Sequence, residues 1–97
     1  MYKMQIFQDS LDAVAEETGI EKELILSNGK GEEVVDARCI LVEVMSECGL
    51  YPLQISRFTG ICPRSVTRFL LGFHARCAAR TVMRINYDNV KKKVGIR

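Results

Sequence analysis

Residues 63–72 hold the side chains best suited to binding chemistry in this chain, and that chemistry is hydrogen bonding to nucleic acid. On ideal helical spacing Arg64 and Arg68 lie on one face, one turn apart, and Ser65 and Thr67 flank them. Arginine pairs bidentately with the O6 and N7 atoms of guanine, and hydroxyl side chains bind base edges or phosphates. We therefore expect these four residues to contact double-stranded DNA in its major groove.

The preceding residues supply the elements that would hold this face outward. Gly60 stands where a turn between two helices needs a positive φ, and Pro63 suits the first position of the second helix, where its missing N–H costs nothing. The sequence therefore predicts a helix-turn-helix over residues 52–73, with a recognition helix at 63–72. The apolar side chains expected to pack behind this recognition helix recur at helical spacing, at Val66, Phe69, Leu70 and Phe73.

Charge is distributed unevenly, although the formal net charge is only +2. Residues 1–48 contain four basic and eleven acidic side chains, whereas residues 49–97 contain ten basic and one acidic. Because neutralising phosphates supplies most sequence-independent affinity for DNA, we expect the second half to face a duplex. Arg57, on the supporting helix, is a candidate phosphate contact. Further candidates form an arginine ridge at i, i+4 and i+8, namely Arg76, Arg80 and Arg84.

The whole sequence predicts an all-α fold, a single helical domain over residues 1–97 that packs five to six helices as an orthogonal bundle around the helix-turn-helix. Prolines are few, and no alternating runs of Val, Thr and Tyr indicate strands. No segment approaches the roughly 20 apolar residues of a membrane span. The first residues contain no secretory signal, so we expect a cytoplasmic protein without membrane contact.

Helical periodicity divides the first half into a helix at about residues 4–18, a short helix at 20–26 and an apolar central helix at 33–48. In the second half, Gly72 is expected to bend the chain into a last helix at residues 74–93. The inner face predicted for this last helix consists of Ala75, Ala78, Ala79 and Val82.

The sequence gives little indication of a metal site, a disulfide bond or a catalytic site. The single histidine, His74, has no catalytic constellation or nucleotide-binding loop around it. No CxxC pair indicates zinc, and a disulfide framework would need export. We therefore expect no metal, no cofactor and no enzymatic activity. The cysteines are expected to remain reduced, and they are Cys39, Cys48, Cys62 and Cys77.

Three stretches carry a resemblance to a known family: VAEETGIEKELILS from Val14, VVDARCILVEVM from Val34 to Met45, and residues 58–66. Together with the order of the elements, they resemble the C-terminal DNA-binding domain of the bacterial replication initiator DnaA, a fold also likened to the Trp repressor. The resemblance covers about two-thirds of the chain. It implies a Trp repressor-like helix-turn-helix in a bacterial DNA-binding regulator, with Arg38 as a phosphate contact.

Two stretches depart from the family pattern. The family's loop before the long helix is rich in arginine, whereas residues 28–36 contain Lys30 as their only basic residue. The family's recognition helix opens with Arg-Asp-His-Thr-Thr, whereas residues 61–65 read ICPRS. The chain also lacks a GxxxxGK[ST] phosphate loop. We therefore carry over neither the family's target sequence nor its ATPase activity.

One alternative interpretation competes with DNA binding. Any corner between two helices can place a glycine between apolar runs, so the motif also fits a scaffold. The chain would then be a protein–protein interaction module whose acidic N-terminal half docks a basic partner or a second copy of itself. Each arginine would then be a solvated helix residue, and Arg38 would pair with a neighbouring acid. A homodimer or a partner is expected in both cases, because one helix-turn-helix reads only a few base pairs.

Overall fold

The computed structural model describes residues 2–95, and within them the chain forms six α-helices. The predicted all-α class is therefore confirmed, and the bounds of the first three helices agree with the sequence to within two residues. None of the six helices is both long enough and apolar enough to cross a bilayer. The helices are α1 Tyr2–Thr18, α2 Lys22–Ile25, α3 Glu32–Glu47, α4 Pro52–Thr59, α5 Pro63–Ala79 and α6 Thr81–Val94.

Helix α3 is the centre of the bundle, and all five other helices pack against it. Apolar side chains cover most of its circumference, which is the pattern of a helix surrounded by others. Burying each large aliphatic side chain contributes about 1.5–3 kcal/mol, so this helix supplies much of the core. Its fully buried side chains are Ala37, Ile40, Leu41, Val42, Val44 and Met45.

The turn between α4 and α5 is short, and two of its backbone N–H groups are hydrogen-bonded to α4. Gly60 ends α4 in the left-handed conformation, with φ at +79°, as the sequence predicts. Its N–H donates to the carbonyl oxygen of Ser56 at 2.9 Å. The hydroxyl of Thr59 accepts the N–H of Ile61 at 3.2 Å, and Pro63 then begins α5. These contacts fix the angle at which α5 leaves α4.

The prediction of a helix boundary near Gly72 is wrong. Helix α5 runs unbroken through Gly72, and the break lies at Arg80, where φ is −135° and ψ is 95°. A glycine inside a helix costs only about 1 kcal/mol relative to alanine. Val66, Phe73 and Cys77 anchor the helix on both sides of it because all three are buried on one face. Packing therefore keeps α5 straight.

The predicted inner face of the last helix is also wrong. The three alanines and Val82 are exposed, and Val82 is 72% accessible. An unbroken α5 puts the three alanines opposite its buried face, and alanine gains too little from burial to turn the helix over. Val82 belongs to α6 and lies outside the face that this helix buries. Helix α6 instead buries Met83, Tyr87 and Val90.

Candidate nucleic-acid interface

The first half of α5 has one open face. Arg64, Thr67, Arg68 and Leu71 are all exposed, and with Pro63 and Gly72 they line a shallow depression on the surface. Hereafter these four exposed side chains are called the α5 face. They fall on one side of the helix because their spacing is three or four residues. The opposite side is anchored by the core, so the helix presents this face outward.

Ser65, the fourth residue predicted to contact DNA, plays a different part. Its side chain is half-buried, and its hydroxyl accepts a hydrogen bond from Nη2 of Arg68 at 3.3 Å. The same oxygen lies 3.2 Å from Sγ of Cys62. Ser65 is therefore hydrogen-bonded to Arg68 and less exposed than the four residues of the α5 face, and its contact with DNA stays a prediction.

Two further arginines are exposed on neighbouring helices. Arg57 lies on α4 and Arg84 on α6. Within residues 2–95, neither these two nor Arg64 and Arg68 have a carboxylate oxygen within 4.0 Å. Four arginines in the basic half of the chain thus keep their charge available to an outside anion.

Arg76 and Arg80, by contrast, form ion pairs with carboxylates of the same chain. Nε of Arg76 donates to Oδ1 of Asp36 at 2.7 Å, and Nε of Arg80 donates to Oδ2 of the same carboxylate at 2.6 Å. Arg80 also pairs with Glu32 at 3.0 Å. The three residues of the predicted ridge therefore differ: Arg76 and Arg80 brace α3 against the α5–α6 junction, whereas Arg84 has no carboxylate partner among residues 2–95.

Arg38 also departs from its expected role. It is 7% exposed, and Nε donates to the carbonyl oxygen of Ile25 at 2.9 Å while Nη1 donates to that of Gly29 at 3.1 Å. Burial lowers the pKa of its guanidinium. The side chain ties α2 and the following loop to α3, so a phosphate cannot reach it in this conformation. The alternative of a salt bridge is also wrong, because the partners are carbonyl groups.

Cys62 is a functional candidate that the sequence analysis missed. It is exposed at the N-cap of α5, directly beside the α5 face. The side chain of Ser65 lowers the pKa of its thiol, and the backbone N–H groups of Ser65 and Arg64 add to this effect. The signal was available in the sequence, since a polar residue before Pro63 occupies the N-cap position. Burial, in contrast, raises the pKa of Cys39 to about 11.

A second charged surface lies where α1 ends and α2 begins. Asp12, Glu16, Glu21 and Glu23 are exposed around one shallow depression, and they are called the acidic face below. It is partly neutralised, because Lys22 pairs with Asp12 and Lys93 pairs with Glu16. Packing contacts join α2 to α1 and α3 but not to α5, so the acidic face and the α5 face are separate surfaces.

The described part of the chain contains no group of three or more His, Cys, Asp or Glu side chains placed to hold a metal ion. His74 is exposed on α5, where its ring meets the edge of Phe73 with the ring centres 5.6 Å apart. Comparison of the chain with protein-family models, with curated proteins and with solved structures finds no match. Function is therefore argued below from the residues of this chain alone.

Proposed function

We propose that this chain binds double-stranded DNA, with α4 and α5 acting as a helix-turn-helix and the first half of α5 entering the major groove. The observation that carries the proposal is the α5 face. It places Arg64 and Arg68 outward, without carboxylate partners among residues 2–95, beside a hydroxyl and an aliphatic side chain. A cytoplasmic, bacterial regulator of transcription or replication is the role that such a module suits.

The dimensions of α5 agree with this role. A helix with its side chains is about 10–12 Å across, and the major groove of B-DNA is about 12 Å wide. From Pro63 to Leu71 the helix advances about 12 Å, so the whole α5 face can lie within one groove. The rest of the bundle stands behind α5, because its buried side chains, Val66 and Phe73, point into the core.

Each free arginine has a distinct role in the proposed complex. Arg64 and Arg68 pair with guanine, where a bidentate contact gives about 1–3 kcal/mol of discrimination between bases. Thr67 binds a base edge or a phosphate. Arg57 and Arg84, which lie on the helices flanking α5, bind phosphates and set the register of the protein on the duplex.

Arg76 and Arg80 are weaker candidates for DNA contact, because each already pairs with Asp36. Asp36 is only 8% exposed, and its carboxylate depends on these two guanidinium groups for its charge partners. A phosphate that drew either arginine away would leave the buried carboxylate with one cation fewer, which is destabilising. We therefore leave both arginines out of the proposed interface.

A relationship to the C-terminal domain of DnaA remains part of this proposal. The order of the six helices, long, short, long, short, long and long, supports it. The phosphate contact implied for Arg38 does not, because that side chain is enclosed. The proposed interface consequently relies on α4, α5 and α6 and on no arginine from the loop before α3.

A second candidate function is docking of a basic protein or a second copy of the chain on the acidic face, whose four carboxylates are exposed. A titration with a random-sequence 20-base-pair duplex at two salt concentrations separates the two functions. DNA binding predicts a log K against log salt slope of about −0.9 for each phosphate contacted. Absence of binding at low salt would overturn the proposed function and leave docking as the better account.

A further inference from the structure

Leu71 is an unusual residue on the surface. It is 84% exposed, the highest value of any large apolar side chain in residues 2–95. It lies one helical turn beyond Thr67 and Arg68, on the α5 face, and packs on no other helix. Single exposed apolar residues are common on protein surfaces, so the exposure of Leu71 matters here because of its place on the α5 face, next to Arg68, where the proposed duplex would meet it.

We propose that Leu71 contacts the C5-methyl group of thymine and thereby makes this protein specific for a T·A pair. This inference rests on the proposed DNA binding. In the major groove thymine is the only standard base that presents a methyl group. The side chain of Leu71 is apolar and exposed one turn beyond Arg68 on the same face, so it can meet that methyl group while the arginines meet guanine.

The helix geometry gives the distance between the two contacts. Arg68 and Leu71 are three residues apart, which is about 4.5 Å along the helix axis. Successive base pairs of a duplex are about 3.4 Å apart along the DNA axis. The thymine that Leu71 contacts therefore lies one or two base pairs from the guanine that Arg68 contacts.

A protein partner fits the surroundings of Leu71 less well. Docking surfaces for proteins are contiguous apolar patches of several hundred Å². Here Arg68 lies one turn before the leucine, and the next exposed side chains along α5 are the polar His74 and two small alanines, Ala75 and Ala78. A protein would have to desolvate Arg68, whereas the phosphates and base edges of a duplex are the groups that arginine binds.

The test begins with selection from a random 20-base-pair duplex pool by the wild-type protein and by Leu71→Ala. We expect the wild type to require a thymine within two base pairs of a required guanine. Leu71→Ala should relax the thymine and keep the guanine. Val82→Ala is the matched control, because Val82 is also a highly exposed aliphatic residue but lies on α6, outside the α5 face.

Deoxyuridine then isolates the methyl group in the selected duplex. Replacing the required thymine by deoxyuridine removes one methyl group, which should weaken binding of the wild type and of Val82→Ala about four-fold. Leu71→Ala should bind both duplexes alike. If the wild type binds the two duplexes equally, or Leu71→Ala remains sensitive, the assignment of Leu71 is wrong while DNA binding stands. If the wild type binds no duplex, the proposed function and this inference both fail.

Discussion

Asp36 and Arg76 are joined by a 2.7 Å hydrogen-bonded ion pair between α3 and α5, although 40 residues separate them in the sequence. The same carboxylate also accepts a bond from Arg80. Among residues 49–95, this contact divides the arginines into two groups. One group braces the bundle, and the other, Arg57, Arg64, Arg68 and Arg84, remains open to an external anion.

The division predicts that replacing two arginines of the expected ridge changes the free energy of unfolding by different amounts. Arg76→Ala should lower the free energy of unfolding by about 2 kcal/mol, because it leaves the buried Asp36 with one cation fewer. Arg84→Ala should change it by less than about 0.5 kcal/mol, since that side chain is exposed. Urea unfolding followed by circular dichroism measures both. Equal losses in the two variants would show that the ion pair does not brace the bundle.

Arg57 and Arg68 should differ in the way they affect DNA binding. Arg57→Ala removes a phosphate contact, so it should weaken binding to every duplex alike and reduce the salt slope by about one unit. Arg68→Ala removes a base contact, so it should cost about 1–3 kcal/mol on the preferred site and little on other sequences. Anisotropy titrations on a selected and a scrambled duplex distinguish these outcomes. Loss of sequence preference in Arg57→Ala would reverse the two assignments.

Cys62 should be the first cysteine to react with an alkylating reagent. It is exposed and its thiol pKa is lowered, whereas burial raises the thiol pKa of Cys39, Cys48 and Cys77. Mass spectrometry after brief treatment identifies the modified residue. Carboxymethylation by iodoacetate should weaken DNA binding more than carbamidomethylation by iodoacetamide, because only the former adds a negative charge beside the α5 face. Equal effects would place the DNA elsewhere.

A control variant makes the alkylation test specific. Cys62→Ser removes the reactive thiol and keeps a small polar side chain at the N-cap. We expect this variant to bind DNA as the wild type does and to be indifferent to both reagents. If iodoacetate still weakens its binding, modification at another cysteine accounts for the effect.

Glu43 should make stability depend on pH. Burial and the hydrogen bond with the neighbouring Glu47 raise its pKa to about 7. The folded state therefore holds a proton that the unfolded state releases near pH 4.5. The contribution of Glu43 to stability should be fully present below that pH and be lost as pH rises through about 7, by on the order of 1 kcal/mol after allowing for solvent screening.

The matched variant for this prediction is Glu43→Gln, which resembles the protonated carboxyl group and does not titrate. Its free energy of unfolding, measured in urea between pH 5 and pH 8, should change less with pH than that of the wild type. At pH 8 the variant should be the more stable protein. A wild-type stability that rises over this interval would contradict the raised pKa.

Local pattern predicted the first half of α5 and failed further along the chain, for a physical reason. The exposure of Arg64, Thr67 and Arg68 follows from helical spacing within a few residues, which the sequence contains. The pairing of Arg76 with Asp36 depends on how α5 packs on α3. Such contacts form between distant segments, so periodicity cannot reveal them.

Arg38 is a second residue whose contacts the sequence could not reveal. Its position within an apolar helix indicated that it needed a partner, and an anion was the expected choice. The partners are the carbonyl groups of Ile25, at the end of the short helix α2, and of Gly29, in the loop that follows it. A contact to backbone carries no side-chain signature in the sequence, so it could not be predicted.

The affinity of an Arg64→Ala/Arg68→Ala double variant for a random-sequence duplex at about 0.1 M salt tests the central claim most directly. Lys22→Ala is the matched control, because it removes a positive charge at the exposed acidic face, away from α5. We predict a loss of at least about tenfold for the double variant and none for Lys22→Ala. If the double variant binds DNA as tightly as the wild type, α5 is not the DNA-binding helix.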